Sequence, residues 1–348
     1  MKKIAFFNNK GGVGKTTLVC NVAHYLATEK NLRVLIMDLD PQCNATQLVL
    51  PMEDSLSLYW PADTTSLSAS TARDAHYDTI YDVAKPIEEG DSSPKSPNPI
   101  PASANRFEVA LVPGHPRMSF FEDRLGPWFK DARGGGIEGL RRTLWLEEVL
   151  ADYESDYDVV LFDVGPSLGA LNRSVLAASD HFVTPMGADI FSVVALKNIA
   201  EWISEWVRAF EVGVEICSSP SSIVQHNIPS SLPIKTGFAG YTVQQYSTVS
   251  VRGERRATVA YEQIISQIPD QIHKYMLPLA YGKLEEDALS LGDVPNLRSL
   301  VPLGQSANAP LSALMSRDGL AGGQYTQQKN YAELIAAVGD QLTENCIA

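Results

Sequence analysis

The chain has 348 residues, 45% of them hydrophobic and only 20% charged, enough apolar material for one large core. Its 41 acidic residues exceed the 28 basic ones by 13, so the whole-chain field repels phosphate backbones and anionic lipids, and any nucleic-acid contact must be local. Cys20, Cys43, Cys217 and Cys346 form no C-x-x-C pair and have no histidines at metal-ligand spacing, which argues against a zinc site or a disulfide framework and fits a reducing cytoplasm.

The first predicted element is a buried strand, Lys3 to Asn8; its apolar run is too short for a signal-peptide core. A helix follows from Thr16 to Glu29, then a strand from Arg33 to Asp38. Later come a strand at Asp158 to Asp163, a helix at Ser167 to Ala178, a strand at His181 to Met186 and a helix from Ile190 to Phe210. This alternation predicts an α/β fold, a doubly wound, mostly parallel sheet with helices on both faces and a ligand site at the carboxyl ends of its strands. Three stretches break the pattern: the Pro- and Ser-rich 85–105, which reads as a loop, the glycine run at 133–136, and 218–233. No composition change flanks them, so they read as insertions in a single domain spanning 1–348. No stretch approaches the roughly 18 apolar residues of a membrane span.

Between the first strand and the first helix lies Asn9-Lys10-Gly11-Gly12-Val13-Gly14-Lys15-Thr16-Thr17. Glycines let a loop wrap with its N–H groups inward, the helix N-terminus adds positive potential, Lys15 reaches β- and γ-phosphates, and the Thr16 hydroxyl can ligate Mg²⁺. The general phosphate-loop pattern has Gly where this chain has Asn9, and Lys10 is an additional lysine. Asp38 and Asp40 end the second strand two residues apart, on one side of the pleat. Asp163 ends a buried apolar strand, where an unpaired carboxylate is costly, so it is expected to face a bound cation through water. Capping of a following helix is the alternative for each of these carboxylates.

At these residues the chain resembles the ParA/MinD superfamily of deviant Walker A P-loop ATPases, closest to the ParA/Soj-type partition proteins, whose hallmark is K-G-G-x-G-K-[ST]. The segments Arg33 to Thr46 and Tyr157 to Leu168 look like the family's second motif and its Walker B strand. The resemblance implies ATP and Mg²⁺ as cofactors, with Gly11 to Thr17 on the phosphates and Thr16, Asp38 and Asp163 around the metal. It implies that Asp40 orients the attacking water, and that Lys10 reaches the partner's nucleotide in an ATP-dependent homodimer. The family's D-x-P-P turn is Asp163-Val164-Gly165-Pro166 here, so Gly165 departs from it. By the same resemblance, Phe238 to Gln245 is the late strand near the purine, with Gln244 or Gln245 supplying an amide edge or else forming a surface strand end. Leu300 to Gln305 is then the last core strand before the loop over the base.

Partners are the least determined. ParA proteins bind DNA without sequence preference through basic residues, and Arg252, Arg255 and Arg256, in a turn before a helix with Lys235 and Lys274 as neighbours, are the candidates here. That reading implies an ATPase that partitions or positions DNA or another cargo, nucleoid-associated within the cytoplasm. The alternative is an ATP switch acting on a protein complex without DNA, which the acidic balance and the long loops favour. An iron-protein relative needs cysteines that are absent between Asp163 and Cys217, and a MinD-like membrane helix needs a basic C-terminus, whereas Tyr331 to Ala348 is acidic.

Overall fold

The structure is a computed structural model that describes all residues except 60–76, 245–247, 252–253, 258, 283, 298 and 348, and describes 248–260 without their side chains. In chain order the first half contains β1 (Lys2–Phe6), α1 (Lys15–Thr28), β2 (Val34–Asp38), α2 (Asn44–Val49), α3 (Met52–Tyr59), α4 (Ile80–Glu89) and β3 (Ala110–Val112). There follow α5 (Met118–Arg133), α6 (Ile137–Thr143), α7 (Trp145–Ala151), β4 (Val159–Asp163), α8 (Ala170–Ala177), β5 (His181–Gly187) and α9 (Ile190–Glu215). Beyond these lie α10 (Pro220–Gln225), β6 (Phe238–Gln244), β7 (Thr248–Val251), β8 (Glu254–Ala257), α11 (Val259–Ile265), α12 (Ile268–Gln271), α13 (Glu286–Leu289), β9 (Ser290–Val294), α14 (Leu300–Ala307) and α15 (Gln324–Cys346).

Among the described residues one seven-stranded sheet has the order β3-β2-β4-β1-β5-β6-β9, with every pairing parallel. The central strands are buried on both faces, and period-2 alternation sorts their side chains between two cores. Ala5, Leu35, Met37, Val160 and Phe162 pack against α4 to α9. Ile4, Phe6, Val34, Ile36, Val159 and Leu161 pack under α1, α2, α14 and α15. The same parity carries one step further and sets Asp38 and Asp163 on the α1 side of the sheet, paired in register with each other.

Three expectations are corrected. Leu300 to Gln305 is not a strand but the start of α14, and the last sheet strand is β9. Pro302 falls in the first turn of that helix, where no N–H is needed, and Leu300 and Gly304 form its buried face. β9 hid from the pattern because Gly292 sits at φ 136° beside a register shift and Asp293 interrupts the apolar run. The stretch 85–105 is not loop throughout: α4 continues through Pro86 to Glu89 on a Thr79–Asp82 capping box, and Gly90 at φ 106° ends it. The remainder is tied down, with Lys95 Nζ 2.6 Å from Asp78 Oδ1 and Arg142 donating to the Asp91 and Ser92 carbonyls. The expected basic turn is also different: Arg255 and Arg256 lie in β8, antiparallel to β7, with α11 following.

The break at 133–136 separates α5 from α6, whereas 218–233 is not loop throughout, since α10 occupies Pro220–Gln225 within it. Gly135, at φ 80°, lets the first lie against the end of α9, where a Cβ would come within 3.1 Å of the Ile216 carbonyl. No helix among the described residues is long and apolar enough to cross a membrane.

At the opposite end of the sheet from the phosphate loop, His181 opens β5 at 1% exposure, and neither ring nitrogen has a hydrogen-bond partner among the described residues. Burial lowers its pKa from 6.5 to about 4, with Asp180 opposing and Lys2 adding. A base with a depressed folded pKa costs nothing while both states are neutral; below pH 6.5 the unfolded chain takes up the proton first. Stability should therefore fall from about pH 6.5 towards pH 4, by on the order of 3 kcal/mol. Urea unfolding of wild type and His181→Leu at pH 7 and pH 5 checks this: the variant should lose less of its midpoint on acidification, and equal losses would refute the assignment.

Candidate functional site

Seven strand ends converge at the carboxyl edge of the sheet, and the loop from Phe7 to Gly14 lies in their middle, after the central strand β1. Asn8, fully buried, donates from Nδ2 to the Pro185 carbonyl at 2.6 Å and accepts the Lys10 N–H on Oδ1 at 3.0 Å, so it pins the loop to β5. Gly12 and Gly14 adopt φ 72° and 82°, the left-handed region that side chains disfavour. Gly14 is also the N-cap of α1 and has no capping side chain, which leaves first-turn N–H groups to point into the loop.

Lys15 follows at 7% exposure, and the only hydrogen bond its ammonium makes among the described residues is a long one, 3.5 Å, to the Lys10 carbonyl. Burial lowers its pKa, with the charges of Asp163 and Asp40 opposing. The Thr16 hydroxyl donates to Asp163 Oδ2 at 2.7 Å, whereas Asp163 Oδ1 is buried with no hydrogen-bond partner among the described residues. A buried cation held by one weak contact, beside a buried carboxylate with an unused oxygen, is a donor set that fits a Mg²⁺–triphosphate.

Asp38 is the neighbour of Asp163 across the β2–β4 register, about one strand spacing away, and both are fully buried. Both carboxyls are pushed well above the usual range, by burial first. The nearby negative charges add to this in each case, while Thr46 opposes at Asp38 and Thr16 and Lys15 oppose at Asp163. Their surroundings otherwise differ. Asp38 Oδ2 accepts both the Thr46 N–H at 2.8 Å and its hydroxyl at 2.7 Å, and Oδ1 accepts the Asp40 N–H at 3.3 Å. It thus ties α2 to β2, as capping allowed, while Asp163 binds Thr16 through Oδ2 and keeps Oδ1 unpartnered among the described residues.

Asp40, at 7% exposure, accepts the Gln42 N–H on Oδ1 at 2.9 Å and lies against Gly165, where a Cβ would meet that oxygen at 3.3 Å. Asn172, buried on α8, donates to the Gly165 and Ser167 carbonyls at 2.7 Å each and holds the turn after β4. Pattern reading missed this residue, since an Asn inside a helix carries no motif signal. It also missed Asp189: Lys10 Nζ lies 2.5 Å from Asp189 Oδ2 at the start of α9.

A cleft of about 230 Å³ adjoins the loop, walled by Gly14, Thr17 and Leu18 on one side and by Gln244, Pro295, Leu297 and Tyr331 on the other. β6 ends at Gln244 on the wall of this cleft, which is also lined by Pro295, Asn296 and Leu297 after β9 and by Val301 and Pro302 of α14. Gln244 Nε2 is already engaged with Thr242 Oγ1 at 3.0 Å. Gln245 and Arg252 lie outside the described residues. Lys235 is paired with Glu211 at 2.8 Å, and Lys274 sits over the Tyr275 ring at 5.0 Å.

A family model described as an AAA domain matches residues 1–216. The "Chromosome-partitioning ATPase Soj" of Thermus thermophilus is 31% identical over 209 residues, 60% of this chain and 64% of that protein. The "Virulence plasmid ParA family protein pGP5-D" of Chlamydia psittaci is 28% identical over 204 residues, 59% of this chain and 64% of its own length. The chain therefore spans about two-thirds or less of the length of these curated relatives. Among solved structures, protein DIP2308 of Corynebacterium diphtheriae has 30% identity and a TM-score of 0.72 over 99% of this chain and 98% of its own. An ATP complex of McdA from Cyanothece shares the fold, with a TM-score of 0.57 at 13% identity over 99% and 96%.

Thr46 of α2 ties two strand ends together, because its hydroxyl gives to Asp38 of β2 and also accepts the Gly114 N–H at 2.8 Å from the end of β3. Thr46→Val removes both contacts at a fully buried position and should cost about 3 kcal/mol. Urea unfolding measures it, and a loss under about 0.5 kcal/mol would show that the Asp38 cluster is not held by this hydroxyl.

Proposed function

We propose, from the fact that this chain belongs to the ParA/MinD superfamily of P-loop partition ATPases, that it binds Mg·ATP at the Lys10–Thr17 loop, pairs into an ATP-dependent sandwich dimer and hydrolyses ATP to position DNA or another cargo. The observation that carries the reading is the Thr16–Asp163 contact, with Asp163 Oδ1 unpartnered beside a buried Lys15. Lys15 supplies positive charge at the β- and γ-phosphates, and the backbone of 11–15 wraps them. Mg²⁺, held by Thr16 Oγ1 and through water by Asp163, would neutralise charge on the β- and γ-oxygens. Asp40, fixed by Gln42 and bordered by Gly165, orients the attacking water. The cleft between Thr17, Gln244, Pro295 and Leu297 receives the base. Lys10 acts on the partner's nucleotide, so ATP occupancy and pairing form one equilibrium.

Two variants separate these roles. Lys15→Ala should lose ATP binding, whereas Asp40→Ala should bind ATP, accumulate dimers and lose turnover by roughly a hundredfold or more. ATP binding and steady-state hydrolysis read both; wild-type turnover in Lys15→Ala would remove the basis of the reading, and failure of Asp40→Ala to bind ATP would make Asp40 a structural cap.

DNA binding belongs to the same proposal, through Arg252, Arg255 and Arg256. The second reading, an ATP switch on a protein complex without DNA, is favoured by the net charge of −13, which opposes a phosphate backbone. With about six arginines engaged per dimer, duplex affinity should require ATP, ignore sequence and fall with salt at a log–log slope on the order of −5. Fluorescence anisotropy with and without ATP decides it: no binding at low salt with ATP leaves the protein-directed switch.

A further inference from the structure

The lysine expected to act in trans is held in cis. Lys10 Nζ lies 2.5 Å from Asp189 Oδ2 of the same chain, and both side chains remain about one-third exposed, at 34% and 33%. Asp189 is also the N-cap of α9. Its Oδ1 accepts the Phe191 and Ser192 N–H groups at 3.0 and 3.1 Å, and its Oδ2 accepts the Ser192 hydroxyl at 3.0 Å. That hydroxyl in turn accepts the Gly187 N–H at 3.1 Å, so the carboxylate is anchored to both β5 and α9. Burial pushes its pKa up, but the bonds from Lys10 and Ser192 outweigh it and hold Asp189 below its usual value, charged at neutral pH.

We propose that Asp189 is a positioning residue that holds Lys10 within its own subunit and thereby opposes ATP-dependent pairing until the contact is exchanged for a partner's phosphate. The proposal rests on the dimer reading given above. An ammonium in contact with Asp189 cannot also reach across to another subunit, so each subunit must break one ion pair on pairing. Such a pair between partly exposed groups is worth up to about a fivefold factor and is screened by salt, which makes it a threshold and not a lock. The cap and the latch are separable, because an uncharged capping side chain keeps the acceptor oxygen for Phe191 and Ser192 and loses only the attraction for Lys10. Ile190, Phe191 and Val194 stand 52%, 73% and 53% exposed immediately beyond, so releasing Lys10 changes the charge at the border of an apolar face.

The test is sedimentation of the full chain with Mg·ATP and with Mg·ADP, over a range of protein concentrations, for wild type, Asp189→Asn and Asp189→Ser. Two contacts break per dimer, so both variants should dimerise with ATP at roughly five- to twentyfold lower concentration than wild type. They should remain monomeric with ADP, and their advantage should shrink when NaCl is raised from about 50 to about 500 mM, a change that loss of a cap alone would not produce. Variants that pair at the wild-type concentration or above it, while wild type responds to ATP, overturn the latch and leave the dimer reading standing. If neither wild type nor variants pair with ATP, the dimer reading fails and the latch falls with it.

Discussion

Two carboxylates lie side by side on adjacent parallel strands at the centre of the molecule. Asp38 and Asp163 are in register, fully buried and on the same side of the sheet. Burial raises the cost of ionising both; the charge of Asp38 adds to it at Asp163, and that of Asp40 adds to it at Asp38. The neighbouring loops answer this constraint asymmetrically. Asp38 accepts bonds from Thr46 and the Asp40 backbone, and Thr46 is braced in turn by the end of β3, so fixed dipoles offset part of its burial cost. Asp163 receives one hydroxyl and keeps an oxygen open beside Lys15. Under the function proposed above, a bound cation would answer the remaining imbalance, and ligand binding would then stabilise this edge.

That arrangement was largely legible in the sequence because it follows from short-range rules. Parity along Val34–Asp38 and Val159–Asp163 fixes the facing of both carboxylates, and the glycine spacing before Lys15 fixes a loop that opens a helix. What escaped was set by tertiary contact. Asp38 and Asp163 read alike in sequence, yet Thr46, eight residues after one of them, separates their roles. Asn172 and Asp189 sit far from any motif and matter only because the turn after β4 and Lys10 come to them in space. The same cause hid β9, since glycine at φ 136° is a weak strand former until α15 and β6 flank it. It also hid α14, whose apolar start mimics a strand when the helix face that buries it is unknown.

The C-terminal third differs in kind from the first two. The family match ends at residue 216, and beyond it the chain supplies the far side of the cleft from β6, residues 295–297, the start of α14 and Tyr331 of α15. Tyr331 is at 1% exposure and packs in the core under α1, so the wall opposite Thr17 and Leu18 is built from the same residues that cover that face of the sheet. Cleft shape and core packing are therefore not independent, and a substitution that loosens α15 would be felt at the cleft as well as in stability.

Gly165 shows how a departure from a family motif can be compensated locally. A proline in that place would stiffen the turn after Asp163, but it would also put carbon within about 3.3 Å of Asp40 Oδ1, tight enough that one of the two must give. Glycine removes that conflict and leaves two carbonyls to be held by something else. Asn172 takes that part, donating to Gly165 and Ser167 from a fully buried position on α8. Pro166, retained from the motif, lies over Gly11 of the phosphate loop, where an added Cβ would come 3.6 Å from its ring. The turn thus stays ordered through a side-chain amide on one side and proline packing on the other, and the space between them belongs to Asp40.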